Sequence, residues 1–414
     1  MERFLARCAV TAAVLVVSTA SVFGAEIIPT RCQESQVALD SEHTVSRLGR
    51  CGDGETVDLL WHLDRLDQAG GTLDGHFIRQ NRGAGAVIYV MDTGVLANHD
   101  EFAGGPNGTS RVIAGYDAAG SVPIGASDCA SDNKALAPCW DDFGELGAAS
   151  HGTAVASLVA GKNIGVAPDA LIVSIRVMNE RGLATTRTYL EGLEAIIRHA
   201  YAPSAPQFQT AIVNISGWVL DRLSATSSEA PTVSYAAVER KIDDMIFGVD
   251  ASGNRDSHGK KFFFVVAGNN IDGGCGRAQT VDRFPAILGR EIDGLVTVGG
   301  MTEENASWIG SCRGGVEVLA PAQAVFSATI TAHDQYRGRG MRSGTSFATP
   351  IISGIAAMLL SQHPDLTPEQ LEAAVTNTPS RVANPDERLA DGKVAYSNSL
   401  DPVRIAQHPV KLAP

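Results

Sequence analysis

The chain has 414 residues, 44% hydrophobic and 19% charged, enough for one large core or two to three ordinary domains. A net charge of -13 and a pI near 5.2 weigh against nucleic acid as the main partner. The 43 glycines are scattered rather than gathered into a linker, and no internal repeat or low-complexity block is visible.

The first segment, MERFLARCAVTAAVLVVSTASVFGA, has Arg3 and Arg7 near its start, an apolar stretch, and small residues offering cleavage after Ala20, Gly24 or Ala25. This is the layout of a secretory signal peptide over 1–25, and the stretch is short for a membrane span. The expected mature chain is exported, extracellular or periplasmic, with no membrane attachment. Removing the signal removes Cys8 and leaves Cys32, Cys51, Cys129, Cys139, Cys275 and Cys312. An even number in an exported chain points to disulfides. Neighbours in sequence (32 with 51, 129 with 139, 275 with 312) are the expected pairs. None has the CxxC spacing of a sulfur-ligated zinc site.

Residues 26–55 are polar and aperiodic and read as a short N-terminal extension or propeptide remnant. After the short amphipathic LLWHLDRLDQ come continuous apolar runs at 86–91, 170–178, 210–217, 261–270 and 294–300. Such runs suit strands covered on both faces of a parallel sheet. Helical periodicity falls between and after them, at 151–161, 188–200, 232–247 and 367–377. The last begins with Thr367 as N-cap, Pro368 at the first helical position and Gln370 placed to close a capping box. Alternation of the two periods predicts an α/β fold, a mostly parallel central sheet in three layers with helices on both faces.

Functional groups in such sheets gather at the carboxyl ends of the strands. Asp92 ends the first run and Asn269 falls at the end of VVAG; His151 and Ser346 each open a helix. Together these types suit nucleophilic acyl transfer. A serine hydroxyl needs a base, and histidine titrates near neutrality. A buried carboxylate orients the imidazole, and an N–H at a helix start with a carboxamide can meet an oxyanion. Taken singly, Asp-Thr-Gly is more often a turn, His-Gly-Thr a helix start, and Asn a cap. Their joint occurrence is what carries weight.

The blocks VIYVMDTGV, HGTAVASLVAG and SGTSFATP resemble those of the subtilisin-like serine proteases. WHLDRLDQ and the cysteine-bearing loops look like the family's proteinase K branch. VAPDALIVSIRVMN, IVNISG and VVAGNN resemble its intervening segments, and the likeness extends over 56–408 as one catalytic domain, leaving 409–414 as a tail. It implies a three-layer subtilisin-like fold and a serine endopeptidase. Ser346 would be the nucleophile, His151 the base and then the acid, Asp92 its orienter and Asn269 the oxyanion donor. An extended protein or peptide substrate would pair with Gly182, Leu183 and Ala184 and with Ser216, Gly217 and Trp218, while Ala267 and Gly268 help line the primary pocket. The chemistry requires no cofactor, and a monomer is expected.

Four features depart from that family. Trp218 stands where glycine is usual and narrows the primary pocket or covers the next subsite. The Asp92–His151 spacing is long, with an acidic segment around Asp128, Asp132, Asp141, Asp142 and Glu145. It reads as a solvated loop in preference to a calcium site, although clustered carboxylates suit a structural Ca²⁺. Residues 26–55 are too few for the usual inhibitory propeptide, and Ile351 follows Pro350 where histidine is common. A catalytically silent relative acting as a binding protein is the competing expectation. A GxSxG esterase is opposed by the chain order, since there the serine comes first.

Overall fold

The five apolar runs pair side by side in the computed structural model. It describes residues 26–29, 59–67, 72–105, 110–119, 122–123, 150–179, 182–219, 234–271, 280–330 and 338–376. The strands are β1 (Glu26–Pro29), β2 (His76–Arg79), β3 (Val87–Asp92), β4 (Val112–Asp117), β5 (Val122–Pro123), β6 (Leu171–Arg176) and β7 (Thr210–Ile215). They continue with β8 (Lys261–Ala267), β9 (Leu295–Met301), β10 (Val318–Pro321), β11 (Val325–Ala328) and β12 (Arg339–Arg342). Eight form one sheet in the order β10-β9-β8-β7-β3-β6-β4-β5, parallel throughout except where β5 turns back along β4. β1 with β2, and β11 with β12, make separate antiparallel pairs.

Every residue of β3, β7 and β9 is buried, which explains why these strands read as unbroken apolar runs. Successive side chains still separate by face. Ile88, Val90, Ile172, Ile212, Phe263 and Val265 enter one core, and Val87, Tyr89, Met91, Val173, Val213 and Phe264 enter the other. The first core is covered by helices α1 (His151–Ala160), α4 (Thr345–Gln362) and α5 (Pro368–Thr376), the second by α2 (Thr186–Ala200) and α3 (Tyr235–Phe247). Each fully buried Ile, Leu or Phe contributes about 1.5–3 kcal/mol, so the two cores supply most of the drive to fold. The three-layer α/β architecture expected from the sequence is the one observed.

Local chemistry sets the helix ends. Thr185 and Thr188 cap the start of α2 reciprocally. Ser234 Oγ accepts the Ala237 N–H before α3. The expected box at α5 is present: Gln370 Oε1 accepts the Thr367 N–H at 2.9 Å, and Thr367 Oγ1 accepts the Gln370 N–H at 3.4 Å. Helix α4 has the length and apolarity of a membrane span, but 89% of it is buried within the fold. It is the central core helix, and Pro350 sits in its first two turns.

The expected runs overshoot in places. The strand expected over 261–270 ends at Ala267, and the 170–178 run forms a strand only from Leu171 to Arg176. Strands β4, β10, β11 and β12 were not anticipated.

Candidate active site

A cleft of about 480 Å³ opens at the carboxyl ends of the parallel strands. Asp92, the last residue of β3, lies beneath it and is 0% exposed. His151, the first residue of α1, lines it. His151 Nδ1 stands 2.8 Å from Asp92 Oδ1. The same oxygen accepts the Thr93 N–H at 2.8 Å. Because a carboxylate only accepts, Nδ1 carries the proton and Nε2 is left as the acceptor.

The Asp-Thr-Gly and His-Gly-Thr blocks also lock to each other. Thr93 Oγ1 accepts the Gly152 N–H at 3.0 Å, and Thr153 Oγ1 accepts the Leu96 N–H at 2.9 Å. Gly152 is required by close approach: a Cβ there would lie 2.0 Å from the Gly94 carbonyl oxygen and 3.1 Å from Asp92 Cβ. The helix start is thereby pressed against the strand end, which brings the imidazole to the carboxylate.

Ser346 is the second residue of α4 and lines the cleft beside His151. Its N–H, in the first turn, has no partner within the helix. Phe347 follows, with its ring centroid 5.3 Å from that of His151. A chain of polar contacts not foreseen from the sequence holds this helix start. Ser353 Oγ donates to Asn214 Oδ1 at 2.8 Å, Asn214 Nδ2 to Ser216 Oγ at 3.0 Å, and Ser216 Oγ to the Ser346 carbonyl at 2.9 Å. Asn214 and Ser353 are fully buried. The only sequence signal for this chain was a polar Asn inside the otherwise apolar β7.

The expected substrate residues divide. Gly182, Leu183, Ser216, Gly217 and Trp218 line the cleft. Leu183 is 42% exposed, and Ala184 is buried, bridging to Val219. Ala267 is buried at the end of β8 and Gly268 bonds back to Val298 through its N–H at 2.8 Å; neither lines the cleft. Asn269 is buried and does not line it either, whereas Asn270, its neighbour, does. Arg342 was also not anticipated. It lines the cleft, donates to Ser150 Oγ at 2.6 Å, and is the permanently charged side chain among the lining residues described.

Cys312 is disulfide-bonded. It is the one cysteine among the described residues, so its partner and the other expected pairs lie outside them, as does the acidic segment considered for calcium. Among the described residues no group of three or more His, Cys, Asp or Glu is placed to hold a metal ion.

Residues 83–396 match the sequence pattern of the subtilase family. An alkaline serine exoprotease A of Vibrio alginolyticus is 29% identical over 350 residues, covering 83% of this chain and 51% of that protein. An extracellular serine proteinase of a Thermus species is 29% identical over 331 residues, covering 78% of this chain and 63% of that one. The chain therefore spans between half and two thirds of the length of these curated relatives. The crystal structure of a cold-adapted subtilisin-like serine proteinase superimposes with a TM-score of 0.58 and 27% identity, covering 81% of this chain and 97% of that one. With the family pattern spanning most of the chain and the fold matching, the chain belongs to the subtilase family of serine proteases.

Proposed function

We propose that this chain is an exported serine endopeptidase that hydrolyses peptide bonds through Asp92, His151 and Ser346. The observation that carries the reading is the 2.8 Å pairing of His151 Nδ1 with a fully buried Asp92, with His151 and Ser346 on one cleft.

Ser346 Oγ attacks the scissile carbonyl carbon while its proton passes to His151 Nε2. The carbonyl π electrons move to oxygen, giving a tetrahedral oxyanion. That oxyanion meets the Ser346 N–H and the carboxamide of Asn269, which follows β8. Collapse breaks the C–N bond, and the leaving amine takes the proton from His151. Water then attacks the acyl-enzyme, giving its proton to His151. The second tetrahedral species expels Ser346 Oγ, which recovers the proton, and a carboxylic acid leaves. Asp92 holds the imidazole tautomer and offsets the imidazolium formed in each half. Proton transfer and fixed donors account for every step, so the mechanism calls on no cofactor.

The substrate is an extended protein segment. It pairs with the backbone at 182–184 and 216–218. Trp218 limits the side chain that enters the cleft. The working unit is a monomer whose catalytic domain spans 56–408, freed of 1–25 on export, with 26–55 as a short extension or propeptide remnant and 409–414 as a tail.

The test is labelling of the processed protein with a fluorophosphonate, alongside cleavage of a peptide library. Labelling and hydrolysis that both vanish in Ser346→Ala support the reading. Correctly processed, folded protein that neither labels nor cleaves refutes it. Trp218→Gly is expected to shift preference toward larger side chains by about tenfold or more in kcat/KM. An unchanged profile removes Trp218 from specificity.

A further inference from the structure

The wall of the cleft that carries His151 also carries an arginine that the bond-breaking steps do not use. Arg342 is the last residue of β12, half-buried, and lines the cleft. Apart from the titratable His151, the other described lining residues are uncharged. The described lining thus carries one permanent charge, a cation, in a chain whose net charge is -13.

Two contacts place that charge. Arg342 donates to Ser150 Oγ at 2.6 Å, and Ser150 immediately precedes His151. The guanidinium carbon lies 6.0 Å from the centroid of the Phe347 ring, whose centroid is 5.3 Å from that of His151. Arg342, Phe347 and the imidazole therefore form one wall. The segments expected to pair with the acyl portion of a substrate, 182–184 and 216–218, follow β6 and β7 instead, and the bridge from Ala184 to Val219 joins them. In peptide hydrolysis the imidazole returns its proton to the leaving amine, so the leaving portion lies against the wall that holds the imidazole. The residues that follow the scissile bond accordingly pass Arg342.

The strand holds this arginine at a fixed reach. Arg342 pairs with Val325 in the β11–β12 register. Earlier in the same strand, Arg339 Nε donates to the fully buried Glu101 at 2.7 Å, and just after it Ser343 Oγ accepts the Ala324 N–H at 2.9 Å. An anchored guanidinium loses less rotamer freedom on meeting a ligand than a loose one does. Its five N–H donors in a planar fork allow a further acceptor beside those it already holds, and a carboxylate is the anion that matches the fork.

We infer that Arg342 is a specificity residue for the leaving side of the cut, where it recognises a carboxylate carried by the first residues after the scissile bond. This deepens the serine-peptidase reading above and rests on it. The carboxylate is an Asp or Glu side chain within a long substrate, or the chain terminus where the cut falls near the end.

The test uses internally quenched peptides with an amidated C-terminus, identical except for Glu or Gln at the first or second position after the cut. Mass spectrometry of the products confirms where the cut falls. A second pair of peptides ends shortly after the cut, one as the free acid and one as the amide. Each preference is read as a ratio of kcat/KM within one enzyme, so a general loss of activity in a variant leaves it undisturbed. Wild type is expected to favour Glu over Gln at one of the positions by about five- to tenfold, the size of a charge-assisted contact at a half-buried wall. Arg342→Gln is expected to bring that ratio to about one, and Arg342→Glu to favour Lys over Gln instead. Raising the ionic strength from about 0.02 M to about 0.5 M is expected to cut the wild-type ratio by half or more, because salt screens a partly exposed pair. That measurement needs no variant and decides the matter if both substitutions fail to fold. A preference for the free acid alone, lost in Arg342→Gln, assigns the carboxylate to the chain terminus. Ratios near one in both pairs of peptides, or a preference that survives Arg342→Gln or high salt, overturn the inference while the peptidase reading stands. If wild type neither labels with fluorophosphonate nor cleaves, the peptidase reading fails and takes the inference with it.

Discussion

Carboxyl groups stand at both ends of the parallel sheet, fully buried at one and half-buried at the other, and their surroundings differ. Asp92, at the carboxyl end, meets the His151 imidazole and the Thr93 N–H on one oxygen. Glu317 and Glu372, at the amino ends of β10 and β9, each meet a single backbone N–H. Glu317 Oε2 accepts from Thr297 at 2.8 Å and Glu372 Oε2 from Gly294. Burial pushes Glu317 up to about 8, with Glu372 adding repulsion, and burial pushes Glu372 up to about 7, with Asp293 and Glu369 adding to it. Burial alone thus favours the neutral acid, whereas a partner able to become a cation favours the carboxylate. One end of the sheet gives its carboxyl an imidazole partner, and the other raises the proton affinity of carboxyls that meet only a backbone N–H.

The sharpest way to break this contrast is Asp92→Asn. The side chain keeps its shape, but the carboxamide no longer selects the imidazole tautomer with Nδ1 protonated, and it offers no charge to the imidazolium. The expected loss is about 10⁴ in kcat. Steady-state hydrolysis of a peptide substrate measures it. A loss below tenfold means that Asp92 does not serve His151, and the comparison collapses.

A smaller effect is expected at the carboxyl end itself, through the contacts from Ser353 to Asn214, Ser216 and the Ser346 carbonyl. Asn214→Ala removes the middle of this chain, leaving Ser216 Oγ only its bond to the Ser346 carbonyl and Ser353 Oγ only a long one to the Thr349 carbonyl at 3.3 Å. The expected cost is about 1–3 kcal/mol of stability and roughly tenfold or more in kcat, because the helix start that carries Ser346 loses its anchor. Urea unfolding and single-turnover kinetics read the two effects separately. Lost stability with unchanged kcat means that the chain only fills space.

These contrasts show what the sequence made legible. The sheet was readable because strands covered on both faces become continuous apolar runs. Strand β4 escaped because Gly115 interrupts it and its register slips between Ala114 and Tyr116. Strand β12 escaped because RGMR has no apolar period, and β11 because VFSA is only four residues long. Asp92, His151 and Ser346 were readable because each sits in a block whose small residues have their own reasons to be there, as Gly152 and Gly344 show. The polar chain through Asn214 was not, since its members lie 2, 130 and 139 residues apart. Arg342 was missed because a cation on an unanticipated strand carries no motif.

The smallest expected effect tests the other side of the comparison, through Glu317→Gln. The folded state holds the Glu317 proton up to about 8, above the ordinary glutamate value of 4.5. The native protein thus binds more protons than the unfolded chain between those values. The stability contributed by this group is fully present below about 4.5 and is lost as pH rises toward 8. Glutamine still offers an oxygen to the Thr297 N–H but has no proton to lose, so the variant should not follow that decline. Near pH 4 it is expected to unfold with wild type, and at pH 8 to unfold a few degrees higher. Its kcat should stay within twofold at both values, since Glu317 lies at the end of the sheet remote from the cleft. Thermal unfolding across this range, paired with peptide hydrolysis, gives the answer. Parallel stability curves for variant and wild type would mean that Glu317 is already charged in the native state. Burial and the repulsion from Glu372 would then not have outweighed the attraction of Arg290, and the contrast with Asp92 would fail.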